Sequence, residues 1–203
     1  MAALEVAHLG EVRLAFPMIS QYNELQDVRY LYRQCRAAFA RQHGREAPEV
    51  KLGMVFEVPS AVLMCELFFE ELDFVSIGSN DLAQYVLAVD RNNPSVSHLF
   101  DPLEPAVLLM IERVTDAARR YGKPVTLTGE LASDPEGCLV LVGLGLRELS
   151  MNAPLIPIMK DRFAQYSLEE MEQLARIALS STSAANVRRN IQLFRQGESP
   201  AAG

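Results

Sequence analysis

The chain has 203 residues, 49% of them hydrophobic and 22% charged, which suffices for one domain-sized core and leaves no long low-complexity segment outside the tails. No apolar run approaches the roughly 20 residues of a membrane span, and the opening MAALEVAHLGEVR lacks the basic and then apolar stretches of a secretory leader, so a cytoplasmic protein with no membrane partner is expected. A formal charge of -7 argues against a phosphate-tracking surface, which needs clustered cations, so no nucleic-acid partner is expected.

In chain order, VRLAFPMI (12–19) predicts a strand, and Ser20 an N-cap for a helix whose Leu25, Val28, Leu31, Tyr32, Cys35 and Phe39 fall at helical spacing before Gly44. KLGMVFEV (51–58) predicts a second strand stopped by Pro59, SAVLMCELFFEEL its covering helix, and FVSIG (74–78) a third strand ending in SNDL. The Asn-, Pro- and Ser-rich DRNNPSVSHLFDPLEP (90–105) predicts a loop, after which Pro105 opens the helix PAVLLMIERVTDAARRY, closed by Gly122. PVTLTGEL (124–131) predicts a fourth strand and RELSMNA (147–153) a fifth, with Asp134-Pro135 as N-cap and first turn of the intervening EGCLVLVGLGL. A capping box of Ser167 with Glu170 opens a helix running through Leu179; AANVRRNIQLFRQ is polar enough for a surface helix, and GESPAAG is expected to fray.

Repeated strand, turn and helix units imply a parallel sheet with right-handed crossovers, either doubly wound or a barrel. No GxGxxG follows the first strand and polar residues end nearly every strand, which favours a β/α (TIM-type) barrel. About five units are too few for eight, so a partial barrel of the α/β class is expected, with two unpaired parallel edges and the missing strands upstream of Met1. At its rim the strand-end residues Glu57, Asn80, Asp81 and Glu130 converge, where acids can hold a divalent cation while the amide and loop backbones grip an anion. Cys35, Cys65 and Cys138, odd in number and far apart, predict reduced core thiols; His8, His43 and His98, isolated from one another, predict surface or loop positions. The Met and Phe residues at helical spacing predict core filling.

FPMI, MVFEVPSAV, DFVSIGSNDLAQYVLAVDRNN, GKPVTLTGELASD and ELSMNA follow one another in the order and spacing of the phosphoenolpyruvate-binding barrel of enzyme I of the phosphotransferase system, which the chain resembles over roughly residues 10–190. That barrel is shared more distantly with pyruvate phosphate dikinase and phosphoenolpyruvate synthase. AVDRNNP, SMNA and SSTSAANVRR look most like the nitrogen-related form, whose phosphate goes to a regulatory carrier. The resemblance implies a magnesium-dependent, dimeric transferase. In it phosphate passes from phosphoenolpyruvate to a histidine on an upstream domain and then to a phosphocarrier protein, leaving pyruvate. It implies that residues 1–203 are the C-terminal part of the phosphoenolpyruvate-binding domain, with barrel elements over about 10–165 and C-terminal helices over 167–196. Without the upstream parts, the isolated chain is expected to be inactive and to self-associate.

By the same resemblance Glu57 and Asp81 correspond to the magnesium ligands, Gly78, Ser79, Asn80 and Asp81 to the substrate clamp, and Arg91 to the arginine that pairs with the substrate's anionic groups. The alternative for Arg91 is a salt bridge to Asp90 or Asp101. Glu130 would orient the site. Thr128 departs from the pattern: the family usually carries a cysteine there, thought to protonate the enolate carbon, and a hydroxyl near roughly 15.7 is a far poorer acid than a thiol near roughly 8.5. An engineered substitution, a homologue that binds without turnover and proton supply by another group are three explanations. Ser133, where glycine is common, is a smaller departure, and Ser150 and Asn152 either support the site or simply line the barrel mouth. Two other functional readings stay open: a non-catalytic phosphoenolpyruvate-sensing or dimerisation module, and part of a dikinase- or synthase-like enzyme.

Overall fold

Five short apolar runs become strands and each is followed by helix, in a computed structural model that describes residues 1–196. The GESPAAG tail (197–203), expected to fray, lies outside the described residues. After a short helix α1 (Ala2–Val6) come β1 (Arg13–Phe16), α2 (Tyr22–His43), β2 (Lys51–Phe56), α3 (Pro59–Leu63), α4 (Glu66–Phe69), β3 (Phe74–Gly78) and α5 (Ser79–Leu87). The chain continues through α6 (Pro105–Arg120), β4 (Val125–Thr128), α7 (Gly137–Gly143), β5 (Glu148–Ser150), α8 (Ile156–Phe163), α9 (Leu168–Ser180) and α10 (Ala184–Arg195).

The strands pair in parallel in the order β1-β2-β3-β4-β5. A sheet whose spatial order equals its chain order, with crossovers of one hand, carries all its helices on one face; a doubly wound sheet would reverse direction partway. The burial pattern agrees. Met54, Phe56, Val75, Ile77 and Leu127 point into a core shared with Leu25, Val62, Leu82, Leu108, Ile111 and Leu141 of the helices. Phe69 stacks between Phe56 at 5.7 Å and Tyr121 at 5.5 Å, and burial of such large side chains contributes about 1.5–3 kcal/mol each. The opposite face carries Arg13, Ala15, Val55, Thr126, Thr128, Glu148 and Ser150, none of them buried, as the inside of an unclosed barrel would. The fold is therefore a partial β/α barrel with open outer edges on β1 and β5 among the described residues.

Several local expectations shift. The helix predicted over SAVLMCELFFEEL splits into α3 and α4, because Arg113 donates to the Val62 and Leu63 carbonyls at 3.2 and 2.8 Å, the groups a continuous helix would offer to Glu66 and Leu67. Gln21, not Ser20, is the N-cap of α2; the Glu24 carboxylate takes both their backbone N–H groups. Glu136 is the N-cap of α7, yet Asp134 still caps from outside, accepting from the Glu136 and Gly137 amides at 2.9 and 2.7 Å. The strand expected over 124–131 stops at Thr128 and gives way to a 3-10 turn, Glu130–Ser133. The Ser167 and Glu170 capping box of α9 stands as expected. Helix α10 lies on the surface but is anchored through buried Ala184, Val187 and Ile191. Cys65 and Cys138 are buried and Cys35 half-buried, all as free thiols, and the three histidines are exposed.

Candidate functional site

The C-terminal ends of the strands form one rim. Phe56 lies in register with Ile77, Gly78 with Thr128, and Thr128 with Ser150, so Glu57, Gly78, Thr128 and Ser150 form a single row on the open face. Glu57 is only 6% exposed. Its Oε1 accepts the Met18 N–H at 2.7 Å, and its Oε2 occupies the space that a Cβ on Gly78 would fill, 2.5 Å from that position. Met18, the third residue of FPMI, takes φ 60, a region unfavourable for a side-chain-bearing residue, and its amide meets Glu57. Burial and the nearby Asp81 charge push the Glu57 carboxyl above the ordinary carboxylate value, against the pull of the Met18 hydrogen bond. Among the described residues no cation pairs with it.

Asp81 sits in the first turn of α5, and its Oδ1 lies 3.5 Å from Arg91 Nη2. The ion pair weighed for Arg91 with Asp90 or Asp101 does not form; Asp101 is held by Arg188. Arg91 is fixed by its own N–H, which donates to Gln84 Oε1 at 3.3 Å, while its buried Nη1 has no acceptor among the described residues. Such an orphaned guanidinium nitrogen costs free energy unless an anion meets it.

β3 and β4 are laced together at the same rim. The Ser79 hydroxyl donates to the Thr128 carbonyl at 3.0 Å and the Glu130 N–H donates to Asn80 Oδ1 at 2.9 Å. Ser79 is fully buried with its hydroxyl committed to the Thr128 carbonyl, so in this structure it ties β3 to β4 and does not face the open rim. Gly129 takes φ 121, and a Cβ there would collide with Ser79 Oγ and stand 2.9 Å from Asn80 Oδ1. The Thr128 hydroxyl turns to the Ile77 carbonyl at 3.3 Å. Glu130 is exposed, and Ser150 and Asn152 are exposed at the far end of the row. Glu57, Asp81, Asn80 and Arg91 thus come together as the sequence suggests. Met18, Gln84 and Gly129 are supporting residues to which pattern reasoning gave no role, although all three lie inside the motifs FPMI, SNDLAQY and TGEL.

The family described as PEP-utilising enzyme, PEP-binding domain, matches residues 1–168. The chain belongs to this family. Its relatives are nearer still in sequence. A multiphosphoryl transfer protein of Escherichia coli is 38% identical over 193 residues, 95% of this chain and 23% of that protein. The phosphoenolpyruvate-protein phosphotransferases of Cupriavidus necator and Haemophilus influenzae are 39% and 37% identical, over 85% and 95% of this chain. The chain spans 30% and 34% of those two proteins, so about a quarter to a third of the curated relatives it matches. A solved citrate lyase of Burkholderia xenovorans LB400 shares the fold at TM-score 0.51 and 17% identity, covering 94% of this chain and 65% of that one. Among the described residues no helix is long and apolar enough to cross a membrane.

Proposed function

We propose that the chain is the phosphoenolpyruvate-binding portion of a cytoplasmic phosphoenolpyruvate-protein phosphotransferase. The observation that carries this reading is one rim holding, among the described residues, a buried carboxylate without a cation, Glu57, and a buried guanidinium nitrogen without an acceptor, Arg91 Nη1. The first calls for a divalent cation and the second for an anion; magnesium with a phosphate- and carboxylate-bearing substrate supplies both. Glu57 and Asp81 are the residues that would hold magnesium, and that ion, when bound, neutralises substrate oxygens.

The chain's own groups then divide the work. The first turn of α5, which carries Asn80 and Asp81, begins at the rim, where the positive end of the helix favours an anion. Asn80 has committed Oδ1 to Glu130, which leaves its NH2 to donate to the substrate. The Arg91 fork pairs with phosphate oxygens, and its link to Asp81 keeps it at the rim. In the transfer, the enol oxygen–phosphorus bond breaks and a nitrogen–phosphorus bond forms to a histidine on another domain. The enolate of pyruvate left behind takes a proton at its terminal carbon. Thr128, bonded to the Ile77 carbonyl and weakly acidic, supplies that proton poorly, so positioning and charge carry the catalysis here. From the histidine the phosphate passes to a phosphocarrier protein, and the barrel pairs as a homodimer.

The test is calorimetric titration of magnesium and phosphoenolpyruvate into a protein completed with the family's upstream strands. Glu57→Gln and Asp81→Asn are each expected to abolish or strongly weaken metal-dependent binding. Unchanged affinity in both variants would refute the assignment.

A further inference from the structure

Arg188, on the inner face of the C-terminal helix α10, joins three carboxylates that belong to the two loops above the rim. Its Nη2 lies 3.2 and 3.3 Å from the two oxygens of Asp101, and its Nη1 lies 3.0 Å from Asp134 Oδ2 and 3.6 Å from Glu136 Oε2. All four side chains are between 17% and 36% exposed, so water screens the network only in part. Asp101 and Asp134 divide their oxygens between this arginine and their own loops. Asp101 Oδ1 also accepts the Leu103 amide, and Asp134 Oδ1 the Glu136 and Gly137 amides.

Both loops lead straight to residues of the candidate site. Asp134 closes the 3-10 turn Glu130–Ser133: its N–H donates to the Leu131 carbonyl at 3.3 Å, the Ala132 N–H to the Gly129 carbonyl at 3.1 Å, and the Glu130 N–H to Asn80. Asp101 ends the excursion that begins beside Arg91. Between them runs a chain of turn bonds, Asn93 to Asp90, Val96 to Asn93, Leu99 to Val96 and Phe100 to Ser97, which makes the excursion stiff enough to pass on a displacement.

We propose that Arg188 is a positioning residue that straps these two loops together and so sets Arg91 and Glu130 across the phosphoenolpyruvate rim. Its role at the rim rests on the function proposed above. Helix α10 does not need Arg188 to stay in place. Ala184, Val187 and Ile191 bury its apolar face, Ser183 caps it, and the Ala184 amide donates to Glu104. Removal of the guanidinium instead leaves Asp101, Asp134 and Glu136 as three like charges facing one another, and their repulsion parts the loops. The perturbation therefore lands on the rim, not on the packing of α10.

Hydrogen exchange on the 203-residue chain separates the two. In Arg188→Gln the hydrogen-bonded amides of Ala132, Asp134, Val96, Ser97, Leu99, Phe100 and Leu103 are expected to exchange on the order of tenfold faster, the effect of one lost charge-assisted contact. The amides of Val187 and Ile191 stay as they were. Arg188→Lys, which keeps a single pairing, falls between. Asp134→Asn preserves the cap on α7 and removes one charge, so it provides a second variant if Arg188→Gln folds poorly; it too speeds exchange at Ala132. Magnesium and phosphoenolpyruvate titrated into the same variants of the protein completed with the family's upstream strands should bind about tenfold more weakly to Arg188→Gln. Equal exchange at the rim in all variants, or acceleration spread evenly over α9 and α10, overturns the strap. If the rim exchanges faster but the unsubstituted protein, completed with the family's upstream strands, ignores phosphoenolpyruvate, the strap stands and the proposed function falls.

Discussion

Replacement of Gly78 by alanine probes the site through a single methyl group. The backbone there, φ -91 and ψ 88, is open to any residue, so the substitution introduces no main-chain strain. It introduces a collision: the new Cβ would stand 2.5 Å from Glu57 Oε2, 3.0 Å from Glu57 Cβ and 3.1 Å from Val55 Cγ1. To regain ordinary 3.4 Å contact, the carboxylate oxygen must retreat by about 0.9 Å. Glu57 has little freedom to do so, because its other oxygen holds the Met18 amide at 2.7 Å and the residue is only 6% exposed. Overpacking of this kind costs about 1–3 kcal/mol. At roughly 2–4 °C per kcal/mol for a chain of this size, Gly78→Ala should lower the Tm by about 2–12 °C in calorimetry. Magnesium tolerates ligands only near ~2.0–2.1 Å, so metal-dependent phosphoenolpyruvate affinity should fall at least about tenfold. Wild-type Tm and wild-type affinity in this variant would refute both the packing argument and Glu57 as a ligand.

Three further outcomes are expected. Folded Glu57 keeps its proton to a higher pH than in the unfolded chain, so between the ordinary carboxylate value and its raised one the folded state binds more protons. The stability it contributes is full below the ordinary value and falls as pH rises toward the raised one. Metal-free Tm measured across weakly acidic pH should show this decline, and Glu57→Gln should flatten it. Thr128→Cys in the completed enzyme should raise phosphoryl transfer from phosphoenolpyruvate by about 10²-fold or more, measured with labelled substrate; equal rates would place the proton donor elsewhere. Cys138, buried and with its thiol pushed up to about 12 by desolvation and by Asp134, should resist thiol reagents at neutral pH in the native chain, while half-buried Cys35 reacts first.

The alternation of strand and helix signals determined the class of this fold, because period-two and period-3.6 apolar patterns are local properties. The Ser167 and Glu170 box and the helix opened by Pro105 were legible for the same reason: a cap needs only residues three or four positions apart. Glu57, Asn80 and Asp81 could be placed on one rim because residues that end parallel strands must share an end of the sheet. What joins distant segments was not legible. Arg113 splits the helix after β2 from about 50 positions away, and Arg188 finds Asp134 and Asp101 from 54 and 87 positions away, by contacts that exist only once the helices have packed. The φ of Met18 is held by a carboxylate 39 residues on, against the local preference of methionine, and the Thr128 hydroxyl turns to the Ile77 carbonyl because β3 lies beside it. Local sequence set the elements and their order. Register and packing, which depend on the whole sheet closing against its helices, decided which side chains of this rim are buried, which are paired, and which are left without a partner.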